Sequence, residues 1–218
     1  HILKIKSETP TVTSFTFTKP ADFTYIPGQF INLELAIPDC DARCNKRNFS
    51  LVSAPSDDYL QIATRVGVSK FKQTLHELQV GDQVRFTGPF GRFLLNNTLT
   101  PAVLLAGGIG ITPLHSMLKY VTTVSLKKSL TLIYSNSFAS DIPFKQDLDQ
   151  FVRQNQRLTI HYLVTQDPNW SGLKDRIDEK ARKISEVKDV YQNVVAAVCL
   201  RTIRVIFDSD QGNHIQVV

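Results

Sequence analysis

Two domains, an antiparallel β-barrel followed by an α/β domain on a parallel sheet, are predicted by a change of hydrophobic period near the middle of the chain. Through residue 93 the apolar residues come in short, alternating runs separated by turn residues. After residue 100 they come in unbroken runs, each followed by a polar turn and a stretch with helical spacing. The polar segment NNTLTP at 96–101 lies between the two textures, so the expected domains are 1–97 and 98–218.

In the first half, Val12, Ser14 and Thr16 alternate with Thr13, Phe15 and Phe17, and PGQFINLELAI, RNFSLVSAP, LQIATRV and DQVRFTGPF follow. These read as five or six strands, punctuated by Pro27-Gly28, Gly81-Asp82 and Gly88-Pro89. One helix interrupts them: SKFKQTLHEL puts Phe71, Leu75 and Leu78 on one face, with Ser69 as the N-cap. In the second half, AVLLA at 102–106, LTLIY at 130–134 and LTIHYLV at 158–164 have the continuous character of strands covered on both faces.

Composition narrows the function classes. With 42% hydrophobic and 21% charged residues the chain can build a core, which argues against disorder. The net charge of +5 is spread without a basic block, so nucleic-acid binding is not expected, although an acidic partner is compatible with it. No apolar stretch approaches the roughly 20 residues of a spanning helix. The opening HILKIKSETP lacks the features of a secretion signal, although a chain opening on His1 leaves room for a removed segment. Three cysteines are too few for a disulfide scaffold, and the cytoplasm is the expected compartment. Cys40 and Cys44 read as loop thiols, Cys199 as a buried thiol, and no metal site is expected. His76, His115, His161, Met117 and Trp170 read as structural, and Asn96-Asn97-Thr98 as a chance sequon.

The chemistry-bearing stretch is LLAGGIGITPLHSML at 104–118. A parallel strand ending in Gly107-Gly108-Ile109-Gly110 and turning into a helix gathers free N–H groups and the positive end of the helix dipole. Glycine lets that backbone approach a diphosphate, while Thr112 and Pro113 suit a cap and the first helical position. A tight structural turn would use the same residues, but the position after a strand favours a nucleotide. A second anion site is expected where Gly67-Val68-Ser69 opens the first helix, with Arg47 as a bidentate partner.

RNFS at 47–50, GVSKF at 67–71, GPFGRF at 88–93 and GGIGITPLHSML at 107–118, in that order, resemble the ferredoxin–NADP reductase family as far as about residue 180. The resemblance implies an FAD-binding barrel and a NAD(P)-binding sheet whose cofactors meet between the domains. It assigns Arg47 and the Gly67-Val68-Ser69 turn to the FAD diphosphate, and Phe49, Thr64 and Arg65 to the flavin and its chain. Ser50 would lie near flavin N5, and Gly107, Gly108, Gly110 and Thr112 would receive the pyridine nucleotide, with Ser50 and Thr112 at the reacting centre. The activity implied is hydride transfer from NADH or NADPH to FAD, then electron transfer to a separate acceptor such as a small acidic redox protein. A non-catalytic flavin- or nucleotide-binding sensor or subunit is the alternative. An oligosaccharide- or nucleic-acid-binding barrel fits less well, because it leaves both glycine turns unexplained.

The likeness departs from the family in three places. Ser137 and Gln166 stand where NADP users often carry arginines, which favours NADH unless Lys174 or another cation reaches a 2′-phosphate. Near the end, no glycine occurs between Gly172 and Gly212, and DVYQNVVAAVCLRTIRVIFDSD lacks the family's Cys-Gly-Pro or Gly-Pro-Pro turn. Omitted loops at Asn193-Val194, Leu200-Arg201 or Ile203-Arg204 would account for that run. HIQVV at the end lacks the terminal aromatic that some relatives stack on flavin.

Overall fold

The computed structural model describes residues 1–38, 44–95, 99 and 101–174, with the backbone of two short strands at Val205–Phe207 and Ile215–Val217. The expectations for Cys40, Cys199, the sequon and the three joins fall outside the described residues.

The first half forms six strands: β1 (Ile2–Thr9), β2 (Val12–Thr18), β3 (Phe30–Glu34), β4 (Lys46–Ser50), β5 (Tyr59–Arg65) and β6 (Arg85–Phe90). They make two antiparallel sheets, ordered β1-β2-β5 and β4-β3-β6. Phe15, Phe17, Ile31, Leu33, Leu60 and Ile62 point between them, and helix α1 (Lys70–Glu77) closes that core with Phe71 and Leu75. Gly88-Pro89 does not end a strand as a turn would. It lies inside β6, where one extra residue between the Asn32–Thr87 and Phe30–Phe90 pairs is absorbed as a bulge, a place in a sheet that tolerates proline.

The second half contains β7 (Ala102–Gly107), β8 (Leu130–Asn136) and β9 (Leu158–Val164), parallel and adjacent in that order. Helices α2 (Ile111–Thr123) and α3 (Lys145–Gln154) pack on the sheet through Leu114, Met117, Leu118, Val121, Leu148 and Phe151. Strands with buried side chains on both faces need no alternation, which is why β7 is buried at all six positions.

The two halves share a packed seam. Val12, Val52 and Ala63 of the first half lie in the same apolar cluster as Leu104, Leu114 and Leu132 of the second. Polar bonds reinforce it: Lys119 Nζ donates to Asp57 Oδ2 (2.7 Å) and Tyr59 Oη (2.9 Å), and the hydroxyls of Thr9 and Thr11 donate to Asp141 Oδ1. The expectation of free loop thiols is corrected at Cys44, which is disulfide-bonded.

Candidate functional site

The anion site expected at Gly67-Val68-Ser69 falls where β5 gives way to α1. Ser69 caps the helix, its Oγ accepting from Lys72 N–H at 3.4 Å. The first turn then carries Lys70 and Lys72 and no acidic residue. Lysines beside the positive end of a helix dipole are unfavourable unless an anion comes to that end. Lys72 lies over Gly67, where an added Cβ would stand 2.8 Å from Lys72 Cδ. Val68 points to solvent with 94% exposure.

Strand β4 presents its residues alternately. Arg47 lies over the Phe71 ring at 5.5 Å and donates to the Lys46 carbonyl at 2.7 Å. Phe49 stacks on the same ring, with centroids 5.9 Å apart. Asn48 accepts from Asn32 Nδ2 at 2.7 Å through its Oδ1.

The glycine stretch turns more tightly than the sequence suggests. β7 runs through Gly107, a single 3₁₀ turn covers Gly108–Gly110, and α2 starts at Ile111 with Gly110 as its N-cap. Thr112 and Pro113 are therefore the second and third helical residues rather than cap and first. Pro113 costs nothing there, because the first four N–H groups of a helix have no partner within it. Gly108 sits at φ +51°, and a Cβ on it would stand 2.1 Å from Arg65 Nη2. The Gly108 carbonyl accepts from Tyr134 Oη at 2.8 Å. Burial raises the Tyr134 phenol well above its ordinary pKa, so it remains a donor.

These pieces border one cavity of about 640 Å³ at the seam. Phe49, Ser50, Thr64 and Arg65 reach it from the barrel, and Gly110 and Thr112 from the parallel-sheet domain. Arg47, Val68, Ser69 and Gly107 do not line it, whereas Gly67 and Gly108 lie beneath two cations that do, Lys72 and Arg65. Among the described residues, Arg92 is the third lining cation and no carboxylate lines the cavity. Sequence reasoning missed Lys72 and Arg92, although two lysines at a helix start and a cation within a glycine-flanked GPFGRF were signals for them. A cavity with three cations, two glycine turns and an aromatic wall fits ligands that carry phosphates and a flat ring.

Beyond the cavity, the β8 and β9 ends are tied together. Gln166 N–H donates to the Ser137 carbonyl at 2.9 Å, and Thr165 N–H to the Asn136 carbonyl at 3.1 Å. Asp167 braces the same loops, its Oδ2 accepting from Ala139 N–H at 3.2 Å. Ser137 and Gln166 are thus neighbours at the carboxyl edge of the sheet, where nucleotides bind such folds. Lys174 Nζ lies 3.4 Å from the Pro168 carbonyl.

Among the described residues no cluster of His, Cys, Asp or Glu fits a metal ion, and no helix is long and apolar enough to cross a membrane. Residues 2–94 match the oxidoreductase FAD-binding domain and residues 104–199 the oxidoreductase NAD-binding domain. The chain is 35% identical over 199 residues to flavohemoprotein B of Dictyostelium discoideum, covering 81% of this chain and 46% of that protein. It is 27% identical over 204 residues to ferredoxin–NADP reductase B of Sorangium cellulosum, covering 90% and 80%. A solved FAD/NAD-binding domain of nitric oxide dioxygenase from Vibrio cholerae superposes with a TM-score of 0.71 at 25% identity, covering 82% of this chain and 79% of that one. This chain spans about half the length of the flavohemoproteins it matches, 46% and 49% of two of them.

Proposed function

Because this chain belongs to the ferredoxin–NADP reductase-like family, with an FAD-binding domain followed by a NAD-binding domain, we propose that it moves hydride from NADH or NADPH to FAD and electrons onward to a separate acceptor. The observation that carries this reading is the cation-lined cavity to which both domains contribute.

FAD, when bound, supplies the redox chemistry, taking hydride from nicotinamide and releasing electrons singly or in pairs. The chain's own residues hold, orient and shield. Lys72 and Arg92, with the α1 start, offer charge to the FAD diphosphate, and Phe49 offers a wall for the flavin. Arg47 would join them by leaving the Phe71 ring. Ser50 and Thr64 present hydroxyls to the flavin side, and Thr112 presents one to the nicotinamide side. Arg65 reaches from the barrel to Gly108, which supports moving it from the flavin, where the family likeness put it, to the diphosphate of the pyridine nucleotide. No group need act as a general base, since positioning and exclusion of water account for much of such a rate.

NADH is the favoured donor, because the paired Ser137 and Gln166 loops offer hydrogen bonds to a ribose, and among their described residues there is no guanidinium for a 2′-phosphate. The net charge of +5 supports an acidic redox protein as acceptor. A heme-bearing acceptor is the second reading, favoured by the flavohemoproteins that this chain matches over about half their length.

The absorption spectrum of the purified protein, followed by anaerobic NADH, tests the function. Flavin bands that bleach rapidly are expected. Flavin that stays yellow with both NADH and NADPH would leave the non-catalytic alternative, and a protein colourless and indifferent to added FAD would overturn the reading.

A further inference from the structure

His115 is a buried histidine on the inner face of α2, among apolar side chains, with Phe144 and Phe151 at 4.8 and 5.2 Å between ring centroids. The family likeness assigns it no role. Its Nδ1 nevertheless lies 2.9 Å from the Val52 carbonyl across the domain seam, and its Nε2 lies 3.4 Å from Asp147 Oδ2 on α3. A carbonyl oxygen only accepts, so Nδ1 carries a proton. The next residue repeats the link: Ser116 Oγ donates to the Ser53 carbonyl at 2.5 Å, which also accepts from Tyr25 Oη at 2.9 Å.

The location of these bonds gives them their meaning. Val52 is two residues beyond Ser50, which faces the cavity from the barrel, and His115 is one helical turn beyond Thr112, which faces it from the other domain. The cavity opening and the His115–Val52 bond are therefore separated by very short, well-packed lengths of chain on both sides. We propose that His115 is a positioning residue: by hydrogen-bonding Val52 from α2 while its ring packs on Phe151 of α3, it sets the spacing between the flavin-facing and nicotinamide-facing walls of the cavity. This rests on the hydride-transfer reading above. Misplacing reacting groups by about 1 Å costs such a step about 10²-fold, so a fixed seam has a rate to protect.

Three variants separate positioning from packing. Asn keeps a donor near the Nδ1 position, Gln moves it to the Nε2 position, and Leu fills the space without a donor. With FAD content and thermal stability measured on each, H115L is expected to slow flavin reduction at saturating NADH by about 10- to 100-fold with little change in KM. H115N should restore the rate to within about threefold, and H115Q should not. Ring nitrogen NMR of the protein as isolated supplies a readout independent of activity, and should show an exchange-protected proton on His115 Nδ1. Equal rates for wild type and H115L, equal slowing by Asn and Gln, or a bare Nδ1 would each overturn the proposal. If H115L does not fold, the Asn and Gln pair with the NMR signal decides. A wild type that NADH and NADPH both fail to reduce would overturn the proposed function itself, and the positioning role with it.

Discussion

The Arg65 guanidinium covers Gly108: Nη2 would stand 2.1 Å from a Cβ built there, and the glycine is at φ +51°. One residue from each domain therefore meets at the turn expected to receive a diphosphate. Gly108→Ala should be destabilising on two counts, because the left-handed backbone costs a residue with a Cβ about 1–2 kcal/mol and Arg65 must also move. A fall in Tm of a few degrees with FAD retained is the expected result. Arg65→Gln should keep FAD while raising KM for the pyridine nucleotide about tenfold, the equivalent of one lost charged hydrogen bond. Unchanged KM, or FAD loss in step with the KM rise, would return Arg65 to the flavin.

The Tyr134–Gly108 hydrogen bond supports that turn from beneath. Tyr134 is fully buried, so Tyr134→Phe leaves the Gly108 carbonyl without this donor while keeping the ring packed. A cost of about 1–3 kcal/mol is expected, read as a lower denaturant midpoint with an unchanged slope. The midpoint would not move if another donor replaced the phenol.

Much of this architecture is legible in the sequence, for reasons visible residue by residue. The change from alternating to continuous apolar runs separates the antiparallel sheets from the parallel one, because burial on one or two faces imposes that difference directly. Ser69 and the α1 face are legible because capping and helical spacing are local. Thr112 and Pro113 are misplaced by two positions, since a 3₁₀ turn at Gly108–Gly110, beneath Arg65, intervenes between β7 and the helix. Lys72 and Arg92 are missed because a lysine on a polar helix face and an arginine in a turn look solvated until two domains are brought together. His115 reads as structural because nothing local announces that Val52 lies across from it.

Asp147 gives the seam a pH dependence at the acid end. His115 beside it, opposed by desolvation, holds its carboxyl below the ordinary 3.8, and Lys6 and Lys119 add smaller effects in the same direction. A depressed folded pKa means that the stabilisation is complete above the unfolded value and is lost as pH falls through the folded one. Asp147→Asn should therefore be less stable than wild type at pH 7, with the gap closing below about pH 3.8 as the wild-type carboxyl protonates. Chemical unfolding at pH 7 and pH 3 checks this, and a gap that stays constant would remove Asp147 from the seam's charge balance.

Lys72 offers a prediction in which stability and binding change in opposite directions. In the flavin-free protein it is a cation in the first turn of α1, where the helix dipole disfavours positive charge and where the turn itself holds no acidic residue. Lys72→Glu should then raise the stability of the flavin-free protein by about 0.3–1 kcal/mol, since a carboxylate complements that end. The same change puts a negative charge on a cavity lined by Arg65 and Arg92 and facing the proposed FAD diphosphate. FAD affinity should fall by at least about tenfold, and the loss should shrink at high salt as screening increases. A purely structural lysine would shift both quantities together or neither, so measuring apo stability and FAD binding on one preparation separates a phosphate-binding role from a packing role.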